Sequence, residues 1–239
     1  MAVKRLNREK GRINVSSRVM SDKLLHYRDI WIFTEGGKTE PLYFGEIKHR
    51  ICIDPMNRKG RNYNIVACSS GGNGVLKKAR AEYRNNICLG DEADIFLVFD
   101  KDDISDAAFD SLVSNIENMS TFKHRWHAIW CNECFELWYL LHFEKVASDI
   151  GRNRYFSKLD KYFSLNGVGN YGKNRNDIYS ILLKIGNVGK AMSNARWLKD
   201  RFCHDKPSSS VPCTNMAELM DCLIPLLPEE DRKLFLNIS

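Results

Sequence analysis

No apolar run in the 239-residue sequence approaches the ~20 residues that a membrane-spanning helix needs. The opening stretch "MAVKRLNREKGRINV" is basic and polar with no apolar segment in it, so it does not read as a secretory signal. No second Cys-x-x-Cys and no His-x-x-x-His accompanies "CNEC" (131–134), which leaves a structural zinc site short of its four ligands. The eight cysteines are scattered, mostly among apolar neighbours, and do not form the framework of a disulfide-stapled domain. There is no internal repeat and no long low-complexity tract, and "PSSS" (207–210) reads as a short linker. What survives these absences is a soluble cytoplasmic protein of one large domain, or a domain with an appended lobe.

Apolar residues make up 44% of the chain and aromatics 11%, enough to bury a sizeable core at this length. The net charge of +6 conceals an asymmetry. Residues 1–28 carry eight Lys/Arg against two acids, and 145–206 carry thirteen against five. Residues 29–144 reverse the balance, with thirteen basic and eighteen acidic side chains. An acidic core between basic segments fits a metal site beside a polyanion-binding surface. Solvated helix faces would explain the second basic segment as readily.

Residues 1–28 lack periodicity and read as a basic flexible arm. "DIWIF" (29–33), "NYNIVAC" (62–68), "ADIFLVFD" (93–100) and "RWHAIWC" (125–131) read as strands. The third is apolar almost without interruption, the mark of a strand covered on both faces of a parallel sheet. Helical spacing follows each strand, in "EPLYFGEIKHRI" (40–51), "VLKKARAEYRNN" (75–86), a stretch from Ser105 to Asn118, and "ECFELWYLLHF" (133–143). Four strand–helix alternations predict an α/β core over 29–144. Beyond Lys145 the strand signals stop, and five helical segments predict a basic helical C-terminal lobe over 145–239.

The first strand ends in "FTEGGKTEP" (33–41), which carries Gly-Lys-Thr, the tail of a phosphate-binding loop. The full pattern would place its first glycine at Ile32, inside the strand, so the loop is too short to wrap a phosphate. Two glutamates would repel the phosphate as well. Placed on the sheet, Glu35 falls just past the carboxyl end of strand one and Glu40 at the start of the next helix. Asp100 ends strand three, with Asp102 and Asp103 in the loop. Carboxyl ends of parallel strands form the ligand crevice of open α/β sheets, and carboxylates gathered there need cations. Mg²⁺ prefers such hard oxygens and shares them with waters and substrate phosphates. Asp103 and Asp106 read as ordinary loop and capping acids. "SSGGNG" (69–74) could present backbone N–H groups to a phosphate or serve as a plain loop. His142, Trp138, Tyr139 and Phe143 read as core.

Together "TEGGKTEPLYF", "LVFDKDD" and "CNECFELWYLLHF" resemble the RloB family of bacterial defence proteins, which is similar to the Toprim superfamily. The resemblance runs from about residue 29 to 225 and implies a compact parallel α/β sheet of Toprim type. It matches Glu35 and Glu40 to the family's first acidic motif and Asp100 and Asp102 to its Asp-x-Asp. Asn132 and Glu136 match a later Asn-x-x-x-Glu, with Glu133 where proline is usual. "YGK" (171–173) resembles a Tyr-x-Lys signature, and "PCTNM" (212–216) a C-terminal string. Lys101, inside Asp-Lys-Asp, departs from the pattern and is expected to point outward.

On this reading Glu35, Asp100 and Asp102 hold Mg²⁺, or Mn²⁺ in its place. Glu40 and Glu136 bind a second metal or support the first. Lys173 neutralises a scissile phosphate, or is a solvated loop lysine. The resemblance implies a metal-dependent nuclease acting on RNA such as tRNA, or on DNA, in anti-phage defence with an ABC/AAA-type ATPase partner. No membrane is involved, and a homo-oligomer is compatible with the sequence. A non-catalytic nucleic-acid or partner-binding module with a vestigial site is the alternative. A phosphatase for small phosphates is a third reading, disfavoured by the extended basic surface.

Overall fold

The computed structural model describes residues 28–53, 62–69, 71–87, 92–203 and 206–236. The basic arm expected at 1–28 lies, apart from Arg28, outside the described residues.

Four parallel strands form the centre of the protein: β1 (Asp29–Thr34), β2 (Tyr63–Ala67), β3 (Ala93–Asp100) and β4 (His124–Asn132). A two-residue strand, β5 (Cys213–Thr214), adds antiparallel to β4, giving the order β2-β1-β3-β4-β5. β5 corrects the expectation that strands end before residue 145. Two residues carry no alternation to read, and the pairing is fixed by long-range bonds instead. Thr214 donates its hydroxyl to Trp130 O at 2.9 Å, and Asn215 accepts from the Trp130 N–H at 2.7 Å.

β3 is buried along its length except at Asp100, as its unbroken apolar run predicts. Successive side chains alternate between two cores. Ile30, Ile32, Phe96, Val98, Ile129 and Cys131 face one. Phe33, Ile95, Leu97, Phe99, Ala128 and Trp130 face the other. Helices α2 (Gly72–Glu82, continued by a π turn over Tyr83–Ile87) and α3 (Asp106–Glu117) cover the second face. Helix α1 (Thr39–Ile53) covers the first, in a core shared with α4 (Glu136–Leu140), α5 (Arg152–Leu165), α6 (Ile178–Ile185), α7 (Val188–Phe202) and α8 (Met216–Leu223). Helix α9 (Glu229–Leu236) joins the same core through Phe235.

Since α1 lies on one face and α2 and α3 on the other, the winding reverses between β1 and β3. Such a switch point opens a crevice beyond the carboxyl ends of the two strands. Glu35 and Asp100 stand there.

Two local expectations are corrected. The helix expected over 133–143 is only Glu136–Leu140. All residues from Cys134 to His142 are buried, so the segment has no polar face to mark its ends. Residues 207–209 are a 3₁₀ turn rather than a bare linker. Ser208 donates its N–H and hydroxyl to the Asp110 carboxylate at 2.9 and 2.8 Å, and Asn132 Nδ2 donates to Ser208 O at 3.1 Å.

Candidate metal centre

Glu35 is fixed by both strands at the switch point. Its N–H donates to Val98 O at 2.9 Å, and its Oε2 accepts from the Asp100 N–H at 2.9 Å. The Gly72 N–H also draws its charge, and the start of α2 is turned to a carboxylate of the protein itself. Burial pushes the Glu35 carboxyl up, while the Asp100 and Gly72 N–H groups and the charge of Arg152 draw it down.

The glycines of "EGGKTE" have a steric purpose. A Cβ on Gly36 would stand 2.1 Å from Glu40 Oε2, and one on Gly37 2.7 Å from Ser69 Oγ. The tight turn lets the Glu40 carboxylate fold back over the backbone at the start of α1. Glu40 is 4% exposed. Burial pushes its carboxyl up to about 7, the charges of Glu136 and Glu35 add to the rise, and the N–H groups of Glu40 and Gly36 oppose it.

Asp100 lies on the same sheet face as Phe96 and Val98, which turns it toward Glu40 and Glu136. Burial first, then the charges of Glu40, Glu136 and Glu35, hold its carboxyl well above the ordinary range. Its Oδ1 is buried with no hydrogen-bond partner.

Glu136, 1% exposed at the start of α4, satisfies the rule that a buried acid needs partners. Tyr171 donates its hydroxyl to Glu136 Oε1 at 2.9 Å, and Lys173 Nζ stands 3.4 Å from the same oxygen. Lys173 is half-exposed and lies over the Phe156 ring, 4.9 Å from its centroid. Asp102 has the left-handed φ of +39°, which aspartate tolerates, and its carboxylate is ion-paired with Arg152.

All six candidates, Glu35, Glu40, Asp100, Asp102, Glu136 and Lys173, line one cleft of about 440 Å³, together with Lys38 and Asn174. Asn132 is elsewhere: its amide holds the 207–209 turn. Lys101 turns away from the cleft as expected but is not solvated. Its ammonium bonds Ile104 O and pairs with Asp106 at 3.1 Å. His142 is buried with Nδ1 3.0 Å from Trp138 O. Two residues of the site escaped the sequence reading. Tyr171 had a signal, since it begins "YGK". Arg152 had none, because only the fold brings the start of α5 to Asp102.

The donor set is chemically suited to a hard divalent cation: carboxylate oxygens, an unpartnered buried Oδ1, and mutual repulsion that a cation would relieve. Among the described residues no group of three His, Cys, Asp or Glu is already arranged to hold a metal ion. Mg²⁺ binds through one or two carboxylates completed by waters and substrate phosphates, so a closed protein cage is not required.

The fold and cleft define a parallel α/β protein with its acids gathered at the sheet's switch point. The chain belongs to the RloB-like protein family, whose model matches residues 30–223 and so spans all six cleft candidates. Comparison with curated proteins found no match, and comparison with solved structures found none. Among the described residues no helix is long and apolar enough to cross a membrane.

Proposed function

We propose that the acidic cleft is the site of a Mg²⁺-dependent nuclease of Toprim type, with Mn²⁺ able to replace Mg²⁺. The observation that carries this reading is the convergence of Glu35, Glu40, Asp100 and Glu136 on one cleft, with Asp100 Oδ1 left unpartnered. Four carboxylates from three separate segments are buried side by side, and burial first, then their mutual charge, pushes the Asp100 and Glu40 carboxyls up. Sites that store such repulsion are candidates for function.

Glu35 and Asp100 would hold the ion, with Asp102, Glu40 and Glu136 completing or supporting the set. A bound divalent cation would supply Lewis acidity toward a phosphate oxygen and a site at which water is held for attack. The chain's own residues do the rest. Tyr171 orients Glu136 through its hydroxyl, and Lys173 stands where a cation can neutralise a phosphate oxygen. Lys38 at the rim of the cleft adds positive charge for a polyanion backbone.

The substrate class is nucleic acid, RNA such as tRNA or DNA. The biological role in this reading is the effector of a bacterial anti-phage system with an ATPase partner, supported by family membership. The test is expression of the whole chain in a bacterial host, alone and with a candidate ATPase, following growth and the integrity of RNA and DNA. Asp100→Ala and Glu35→Ala serve as comparisons. Damage by the wild type and silence from both folded variants supports the reading, and the damaged species names the substrate. Variants that behave like wild type would make the acids structural and favour a non-catalytic binding module.

A further inference from the structure

Arg152 begins α5 and lies fifty residues beyond Asp102 in sequence, yet its guanidinium is the ion-pair partner of the Asp102 carboxylate. Its Nε and the Asp102 Oδ1 are both buried without a hydrogen-bond partner. The pairing to Asp102 is therefore electrostatic rather than a fully satisfied anchor. The charge of Arg152 also reaches Glu35 in the acidic cleft. Asp102 belongs to two adjoining cavities: the acidic cleft, and a second one of about 480 Å³ lined by Gly151, Arg152, Asn153 and Arg154. Arg152 thus stands at the junction and serves the acids as a built-in counter-ion.

We propose that Arg152 is a positioning residue that competes with a divalent cation for Asp102. It keeps the carboxylate placed and neutralised when no metal is bound, and it sets the metal concentration at which the site fills. The inference rests on the reading of Asp102 as a metal-facing ligand. The two side chains are 35% and 37% exposed, and ion pairs of that exposure are weak. A divalent cation shared among several carboxylates displaces such a pair. The freed guanidinium has the second cavity to turn into, beside Arg154. A structural salt bridge would behave in the opposite way, since losing it would loosen Asp102 and weaken the site.

The experiment is titration of the full-length, metal-free protein with Mn²⁺ by calorimetry, in wild type, Arg152→Gln, Arg152→Lys, Arg154→Gln and Asp102→Asn. Removing one positive charge a few ångströms from the ligand is expected to tighten Mn²⁺ binding on the order of tenfold. Arg152→Lys keeps the charge and should bind like wild type, and Arg154→Gln should change affinity far less. Asp102→Asn should bind more weakly than wild type. An unchanged or weakened affinity in Arg152→Gln, with binding still weakened in Asp102→Asn, overturns the competition and leaves the metal reading standing. Wild-type affinity in Asp102→Asn, or no Mn²⁺ binding by any variant, overturns the metal role of Asp102 and this inference with it.

Discussion

The Glu35 carboxylate accepts a hydrogen bond from the Asp100 backbone N–H at 2.9 Å, tying together two acidic motifs 65 residues apart. The bond spans the switch point of the sheet. It places one acid by the backbone of another and leaves the Asp100 side chain free to face Glu40 and Glu136. The carboxylates are brought together by the strand framework, against their own repulsion.

Removing one of those charges should therefore stabilise the metal-free protein. Asp100→Asn keeps the shape of the side chain and relieves repulsion from Glu40, Glu136 and Glu35. A gain of about 1 kcal/mol, or roughly 2–4 °C in Tm, is expected in chelator. Mg²⁺ should raise the melting temperature of the wild type and leave that of the variant unchanged. A variant that melts below wild type in chelator would mean the charge is favourably paired in the fold.

Gly36 gives a steric test of the same cluster. An added Cβ would stand 2.1 Å from Glu40 Oε2, so Gly36→Ala must push the carboxylate out of its position. The cost in stability should be small, about 1 kcal/mol, while metal binding falls at least tenfold. Calorimetric titration with Mn²⁺ beside a thermal melt separates the two effects.

The sequence displays the main frame of this fold because its strands bury both faces and its longer helices bury one. Alternation in β1, β3 and β4 assigns each side chain to a core, and Glu35 and Asp100 follow from where those strands end. Legibility fails where a segment is buried all round, as in Cys134–His142, or where pairing is long-range, as in β5. It fails again at Arg152, whose role depends on tertiary placement. The "PSSS" stretch misleads for a third reason: its polar side chains are used internally, on Asp110.

That clasp is testable. Asp110 accepts two hydrogen bonds from Ser208, and Asp110→Ala would leave the Ser208 N–H and hydroxyl without them. Losing both should cost roughly 2 kcal/mol by denaturant unfolding, without altering Mn²⁺ affinity. A neutral result would show the 207–209 turn to be held by its own backbone bonds and by Asn132.

At the far end of the strands Asp94 makes a pH-dependent contribution of its own to stability. Burial alone would raise its carboxyl, but His127 at 3.6 Å, the hydrogen bonds from Arg125 and the charge of Arg28 outweigh it and hold the group at about 2, against 3.8 when free. A depressed carboxyl stabilises the fold above the unfolded value and loses that contribution as pH falls through the folded one. Asp94→Asn should thus cost roughly 2 kcal/mol at pH 7, and the gap to wild type should close between about pH 4 and pH 2. A gap independent of pH would assign the loss to packing.

Tyr171 and Lys173 share one acceptor, Glu136 Oε1, and should fail in different ways. Glu136 is buried, and the Tyr171 hydroxyl is its hydrogen-bond donor at 2.9 Å. Tyr171→Phe leaves a buried carboxylate oxygen dependent on a lysine 3.4 Å away, at a cost of about 1–2 kcal/mol in stability. Lys173 is half-exposed, so its ion pair with Glu136 adds little to the fold. Its ammonium nevertheless lines the cleft, where, on the nuclease reading proposed above, a charge near a phosphate oxygen would act on the transition state. Lys173→Met should melt within about 0.5 kcal/mol of wild type and lower kcat about a hundredfold. Chemical denaturation and single-turnover cleavage of the substrate identified in cells would make the comparison. Large stability loss with Lys173→Met and none with Tyr171→Phe would reverse the two assignments, making the lysine the structural partner of Glu136.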